Sequence, residues 1–184
     1  MGFAPGRIDV SFVEMVRQNL YVAKVNGVIP WSVIQSDYWR DDPTLPTPFV
    51  PGRGWSWEVG KALWEDGKGG YSIEPDYYLY KQVSRAGQAG MAVAEVSSSD
   101  PNIGLMAFAR NGTRNPDALV IHNLAQQGSR KVAIRITGTG ARTFDAYITG
   151  SGRNYQPMGA SSVRNGVLEC SVPARSVITF FARE

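Results

Sequence analysis

Acidic side chains are the groups in this sequence that could carry acid–base chemistry. Asp37, Glu58 and Glu65 could supply a catalytic acid pair, which would make the chain an enzyme complete in itself. Their spacing shows no nucleophile–base arrangement, so this is the weakest of the functional interpretations. Glu74 and Asp76 flank a predicted helix start, where the helix dipole favours negative charge, and therefore have a structural role available.

The other reactive residue types point away from further catalytic or metal sites. His122 lies in a predicted strand without a serine or cysteine at a nucleophile elbow, which favours a structural or surface histidine. Cys170 is the only cysteine, so no internal disulfide and no cysteine–histidine zinc site can form. The glycines of residues 138–143 lack the GxGxxG spacing and predict a turn. We therefore expect neither a metal nor another cofactor.

Charge and hydropathy limit the possible partners. The net charge is +3, but the arginines of the second half are spaced singly between apolar strand residues. Nucleic-acid-binding surfaces instead cluster basic residues, often with aromatics. No stretch is long and apolar enough to cross a bilayer, and residues 1–7 lack the pattern of an export signal. We expect neither nucleic acid nor a membrane as a partner.

The first third of the chain has the pattern of an α/β arrangement. An apolar stripe at helical spacing predicts a helix over residues 11–25, opened by a capping box of Ser11 and Glu14 and ended at Asn26. The near-continuous apolar run 28–34 predicts a strand buried on both faces. A helix that leads directly into such a strand is typical of α/β folds and not of a sandwich.

A long proline-rich stretch, residues 35–60, follows, and unstructured loops of this length are usually functional or disordered. Residues 62–73 then predict a hairpin around a glycine-rich turn. Pro75 is suited to a first helical position and opens a second predicted helix that ends near Gly87.

From about residue 90 the sequence changes to short apolar segments separated by turn residues, among them Asn111-Gly112 and Asn165-Gly166. Residues 131–136 alternate between polar and apolar, so one face of that strand is dry. Regularly spaced strands of this kind indicate an antiparallel β-sandwich of seven or eight strands, which can leave one sheet face in water. The predicted strands are 91–97, 103–109, 117–124, 130–137, 143–149, 166–172 and 176–182.

Four short runs together carry a resemblance to a known family: 26–32 (Asn-Gly-Val-Ile-Pro-Trp-Ser), 64–67, 75–82 and 172–181. In this order they resemble the end of the (β/α)8 barrel and the side β-sandwich of glycoside hydrolase family 30 and its clan relatives. The resemblance covers nearly the whole chain. It implies a mainly β fold in which residues 1–88 are a remnant of the last barrel βα units and residues 89–184 form the sandwich.

The resemblance also implies that the catalytic groups are missing. Retaining enzymes of this type use two carboxylates about 5–5.5 Å apart, which the family places after the fourth and seventh barrel strands. Both positions would precede Ser11, and a complete barrel takes roughly 200–250 residues. The chain alone is therefore predicted to be inactive, with no catalytic residue of its own.

By the same resemblance, Trp31 matches an aromatic residue near the sugar-cleaving subsite, at the catalytic end of the last barrel strand. An indole offers a large, rigid apolar face to a pyranose ring. The loop aromatics Tyr38, Trp39, Trp55 and Trp57 could extend this sugar-binding surface. Packing of a proline-rich loop onto its scaffold is the favoured alternative for these four residues.

Two functions from different classes remain. The leading one is a non-catalytic C-terminal part of an extracellular glycoside hydrolase that degrades a polysaccharide, with the sandwich as a stabilising accessory domain. The alternative is an independent carbohydrate-binding module. The predicted strands hold few aromatics for a module, and several of them are predicted to face inward: Phe108, Phe144, Tyr147, Phe180 and Phe181.

Two further expectations concern surfaces left open by the missing barrel. The uncovered barrel remnant predicts self-association of the isolated chain. In the family, a strand from before the barrel also joins the sandwich, so its place here is either empty or filled by residues 1–10.

Overall fold

The computed structural model describes residues 10–28, 34–36, 63–65, 69–150 and 152–183. Neither helix among these residues has the length and apolarity needed to span a membrane. The elements in chain order are α1 (Ser11–Tyr21), β1 (Ile34–Ser36), β2 (Leu63–Glu65), β3 (Tyr71–Ile73), α2 (Pro75–Ala86), β4 (Ala92–Ala94), β5 (Ile103–Ala109), β6 (Ala118–Asn123), β7 (Arg130–Arg135), β8 (Thr143–Gly150), β9 (Arg153–Ser162), β10 (Val167–Val172) and β11 (Ser176–Ala182).

The predicted antiparallel sandwich is confirmed. Strands β4 to β11 form a six-stranded sheet in the order β4-β5-β6-β11-β8-β9 and a two-stranded sheet of β10 and β7. Every pairing within these two sheets is antiparallel. The alternation predicted for residues 131–136 is also present, since Ile134 is buried in the core while Lys131 and Arg135 are exposed.

The central strands of the six-stranded sheet are covered on both faces, whereas the two-stranded sheet has the water-facing side that the sequence allowed, with Lys131 and Arg135 exposed on it. All six residues of β6 are buried, as expected for a strand that contributes to two cores. The two-stranded sheet covers one face, and α1 and α2 cover the other. The first core includes Ile121, Leu168, Ile178 and Phe180, and the second includes Phe12, Val13, Leu79, Met106 and Val120.

Strand β9 was not predicted from the sequence. Most of its residues are exposed, so it lacks the alternating apolar pattern on which the other predictions depended. It lies at one end of the six-stranded sheet and contains Pro157, a residue that sheets tolerate at their edges because it cannot donate to a further strand.

The predicted hairpin and the predicted second helix are confirmed. Strands β2 and β3 pair antiparallel with Glu65 opposite Tyr71, and β1 pairs with β2 in parallel. Helix α2 has Pro75 in its first turn and ends at Ala86, with Gly87 as its C-cap. Of the predicted strand 28–34, residues 29–33 lie outside the described residues, and β1 begins at Ile34.

Helix α1 differs from its prediction at both ends. Val10 is the N-cap and no side chain caps the helix, so the predicted capping box of Ser11 and Glu14 is wrong. The Glu14 side chain instead binds partners in its own helix and in the sandwich, and these contacts outweigh the local cap. The helix ends at Tyr21 and not near residue 25, and Lys24 takes the left-handed conformation with φ 58°.

Candidate functional site at the helix–sandwich interface

The five predicted sugar-binding residues, Trp31, Tyr38, Trp39, Trp55 and Trp57, lie outside the described residues and stay predictions. The structure describes the interface by which α1 and α2 attach to the sandwich. This interface contains buried polar side chains whose contacts the sequence did not predict.

A carboxylate of α1 binds a buried imidazole of the sandwich. Glu14 Oε2 lies 2.8 Å from Nε2 of His122 in β6, whose side chain is completely buried. The same carboxylate accepts hydrogen bonds from Arg17 Nε at 2.8 Å and Arg17 Nη2 at 2.6 Å, and from Gln18 Nε2 at 2.9 Å. The Arg17 guanidinium, opposed by burial and helped by His122, holds the pKa of Glu14 well below its usual range. Glu14 is therefore a fixed negative charge at this interface.

Gly104 provides the space that the imidazole occupies. It pairs with His122 across β5 and β6. A Cβ atom at position 104 would lie 2.1 Å from His122 Cε1 and 2.3 Å from Nε2. No side chain could occupy that position without moving the ring. The structure therefore makes His122 a structural histidine, one of the two roles the sequence favoured, and adds Gly104 as a residue that the sequence analysis missed.

The two ring nitrogens of His122 differ in their contacts. Nε2 contacts Glu14, whereas Nδ1 is buried and has no hydrogen-bond partner among the described residues. Because the ring is fully buried, no substrate can reach it, and the pair serves as an anchor and not as an acid–base catalyst.

A second polar contact anchors α2. Gln82 is completely buried and its Nε2 donates to Thr149 Oγ1 at 2.9 Å and to the carbonyl of Tyr147 at 3.2 Å. Thr179 Oγ1 donates to the backbone carbonyl of Gln82 at 3.3 Å. These bonds join α2 to strands β8 and β11, so the helix cannot slide along the sheet without leaving buried polar groups unpaired.

A tyrosine makes a third anchor at the end of α1. Tyr21 Oη donates to the carbonyl of Ala94 at 2.9 Å and accepts from the amide of Ala107 at 2.9 Å. Burial raises the pKa of the Tyr21 phenol. The hydroxyl thus bridges the edge strand β4 and its neighbour β5, and it ties the last turn of α1 to both.

The aromatic side chains of the sandwich do not form an exposed row. Phe108, Phe144 and Phe180 are buried. The other aromatic residues within β4 to β11 are partly buried: Tyr147, Tyr155 and Phe181. The Tyr155 ring stacks on Tyr147 at 4.8 Å between centroids, and Lys81 Nζ lies 4.5 Å from its centroid. The Tyr155 ring thus packs against both side chains and is partly buried.

The interior of the sandwich is open on one side. A cleft of about 880 Å³ lies between β7 and the inner faces of β5 and β6. Within the described part of the chain β7 pairs with β10 alone, and its other edge has no described partner. The cleft floor is apolar and includes Ile103, Leu105 and Leu119. An apolar hollow beside a free strand edge is a place where an extended strand could add to the sheet.

The chain resembles known glycoside hydrolases in structure. No known protein-family profile matches the sequence, and no curated protein matches it. A family 30 subfamily 8 xylanase from Clostridium acetobutylicum is similar over 100% of this chain and 41% of its own, with a TM-score of 0.73 and 14% identity. The catalytic domain of a family 30 xylanase from Talaromyces cellulolyticus is similar over 100% of this chain and 39% of its own, with a TM-score of 0.71 and 15% identity.

A family 30 endoxylanase from Clostridium papyrosolvens is similar over 100% of this chain and 40% of its own, with a TM-score of 0.65 and 15% identity. The chain thus spans about two fifths of the length of these enzymes. At these identities the likeness establishes the fold alone.

Proposed function

We propose that this chain is the non-catalytic C-terminal part of a polysaccharide-degrading glycoside hydrolase, in which the sandwich is an accessory domain that stabilises the barrel. The observation that carries the proposal is the shared core of the two helices and the six-stranded sheet. Helices that belonged to a separate module would not need their main apolar face, Phe12, Val13 and Val16, buried against the sandwich. In this proposal residues 1–88 end the barrel and residues 89–184 form the accessory domain.

The sandwich as a stabilising domain is better supported than the sandwich as an independent carbohydrate-binding module. Modules of that kind present aromatic faces to the sugar, whereas the strand aromatics here are buried or packed against neighbours. The buried polar contacts of the interface do not face a ligand but attach the helices to the six-stranded sheet: Glu14 with His122, and Gln82 with Thr149. The accessory domain would hold α1 and α2, and with them the end of the barrel, in one orientation.

The sugar contacts of the proposed enzyme belong to the first third of the chain. We assign Trp31 to the subsite where the sugar is cleaved, with Tyr38, Trp39, Trp55 and Trp57 as candidates to extend the surface. The substrate would be an extracellular polysaccharide, and xylan is the first to test because the similar structures are xylanases. The catalytic carboxylates would come from barrel strands that precede residue 11.

The open surfaces fit a missing barrel. The cleft beside β7 would receive the strand that precedes the barrel in the family. Met15 in α1 and Val22 at its C-cap are 41% and 74% exposed. In the isolated chain these side chains would drive self-association, and light scattering that shows a monomer at every protein concentration would refute this expectation.

Sedimentation with insoluble xylan distinguishes the accessory domain from the independent module. We expect the purified chain to stay in the supernatant, because the sandwich has no exposed aromatic row and the barrel that would complete the sugar site is missing. Retention on xylan that is abolished by both Trp39→Ala and Trp55→Ala would instead favour the module. Tyr71→Ala is the matched control, since it removes a 72% exposed aromatic ring outside the proline-rich loop.

A further inference from the structure

The chain contains three Asn-Gly dipeptides, Asn26-Gly27, Asn111-Gly112 and Asn165-Gly166. Asparagine before glycine is the pair most prone to lose its side-chain amide, because glycine has no side chain to hinder attack by its own backbone nitrogen. The reaction requires the asparagine backbone to rotate until that nitrogen reaches the side-chain carbonyl carbon. The surroundings of each dipeptide therefore decide whether it reacts.

Two of the dipeptides are held in closed turns. Asn111 and Gly112 have φ values of 45° and 79°, and the turn is closed by the amide of Thr113, which donates to the Arg110 carbonyl at 2.8 Å. Asn111 Nδ2 also donates to the Gly90 carbonyl at 3.1 Å.

Asn165 and Gly166 have φ values of 50° and 75° and form the turn between β9 and β10. The backbones of Arg164 and Val167 exchange two hydrogen bonds of 2.9 Å across it. Left-handed conformation at both central residues is that of a type I′ turn, so rotation of either asparagine would break the bonds that close its turn.

Asn26-Gly27 is not held in a turn of this kind. The dipeptide follows the end of α1 and belongs to no helix or strand, and neither residue has a positive φ. No hydrogen bond joins Asn26 to another described residue. Asn26 is exposed, and a Cβ atom on Gly27 would meet nothing within 4 Å. The backbone here has room to rotate, and the side-chain amide has room to leave.

We propose that Asn26 is a site of spontaneous deamidation in the folded chain. The Gly27 nitrogen loses its proton and forms a bond to Asn26 Cγ, the Cγ–Nδ2 bond breaks, and ammonia leaves with that proton. The product is a five-membered succinimide. Water then opens the ring at one of its two carbonyls and leaves aspartate or isoaspartate. Water is the sole co-reactant, and no atom is oxidised or reduced.

The modification changes the molecule at a defined place. It adds one negative charge to the loop after α1, which lowers the net charge of +3 by one. Isoaspartate also routes the backbone through the side-chain carbon and lengthens the connection between α1 and β1. Asn26 lines a hollow of about 300 Å³ together with Phe12, Leu20 and Met91, so the new carboxylate lies at the rim of an apolar surface.

Peptide mapping by mass spectrometry tests the proposal. The full chain is incubated at mildly alkaline pH and digested with trypsin, which separates Asn26 (peptide 25–40) from Asn165 (peptide 165–175). Electron-transfer fragmentation and isoaspartyl methyltransferase labelling identify isoaspartate. Two turn bonds of about 1 kcal/mol each correspond to a rate difference of about thirtyfold, so Asn26 should react about thirty times faster than Asn165. In denaturant the three sites should react at similar rates.

Asn26→Gln and Gly27→Ala are the matched variants, and both should suppress the conversion at this site while Asn165 is unaffected. The proposal is overturned if Asn165 or Asn111 reacts as fast as Asn26 in the folded chain. It is also overturned if Asn26 stays intact under conditions in which the denatured chain converts.

Discussion

Replacing Gly104 by alanine is expected to lower the free energy of unfolding by about 3 kcal/mol, measured by denaturant or thermal unfolding. The new methyl group would lie 2.1 Å from His122 Cε1, far inside contact distance. The imidazole is completely buried and cannot move into solvent without opening the core. Its displacement would also break the 2.8 Å contact with Glu14, so one methyl group adds overpacking and removes a charge-assisted hydrogen bond.

Gly140→Ala is the matched control. Its φ is not positive, and nothing lies within 4 Å of the position that a Cβ atom would take. Its effect should stay within about 0.5 kcal/mol. The double variant Gly104→Ala, His122→Ala should be less destabilised than the sum of the single variants, because the methyl group would occupy part of the vacated space. If Gly104→Ala unfolds like the control, the close approach of ring and backbone does not exist.

Replacing Glu14 by glutamine is expected to lower the free energy of unfolding by about 2–3 kcal/mol at neutral pH. The variant loses the ion pair with Arg17 and leaves the buried His122 without its ionised partner. The wild-type pKa of Glu14 is held well below its usual range, first by Arg17. A carboxyl with a lowered folded-state pKa stabilises the protein above its unfolded pKa, about 4.3 for glutamate.

That contribution disappears as the pH falls through the folded-state pKa. Below the ordinary pKa of glutamate, the free energy of unfolding of the wild type should therefore fall more steeply with decreasing pH than that of Glu14→Gln. Plotted against pH, the two free energies should converge in acid. Glu169→Gln, at an exposed glutamate of β10, is the control and should follow the wild type. Parallel curves for wild type and Glu14→Gln over the whole acid range would show that Glu14 is not a coupled charge.

The strands of the sandwich were predictable wherever one face is dry. Strands β5 and β11 have the bounds predicted from their apolar residues and their flanking turns. Strand β9 carries no such signal, because an edge strand exposed to water needs no alternation. The coverage of both sheet faces was not predicted either, since the apolar stripe of α1 indicates that it has a neighbour but not which one.

The hydrogen bonds that join the helices to the sandwich could not be predicted either, because they connect residues far apart in the sequence. Glu14 and His122 are 108 positions apart, so neither residue indicates the other, and the local pattern around Glu14 favoured a helix cap that does not form. Gly104 did carry a signal, because an isolated glycine inside an apolar strand often marks close approach of another group. Of the predicted sugar contacts, Trp31 depends on the resemblance, and the four loop aromatics depend on their residue type and their place in the following loop.

The proposed function can be tested by incubating the purified chain with xylan and measuring the reducing sugar released. We expect no release of reducing sugar above the blank, because in the proposed function both catalytic carboxylates come from barrel strands that precede residue 11. Turnover that is lost in Asp37→Asn, Glu58→Gln or Glu65→Gln would contradict it and make the chain an enzyme in its own right.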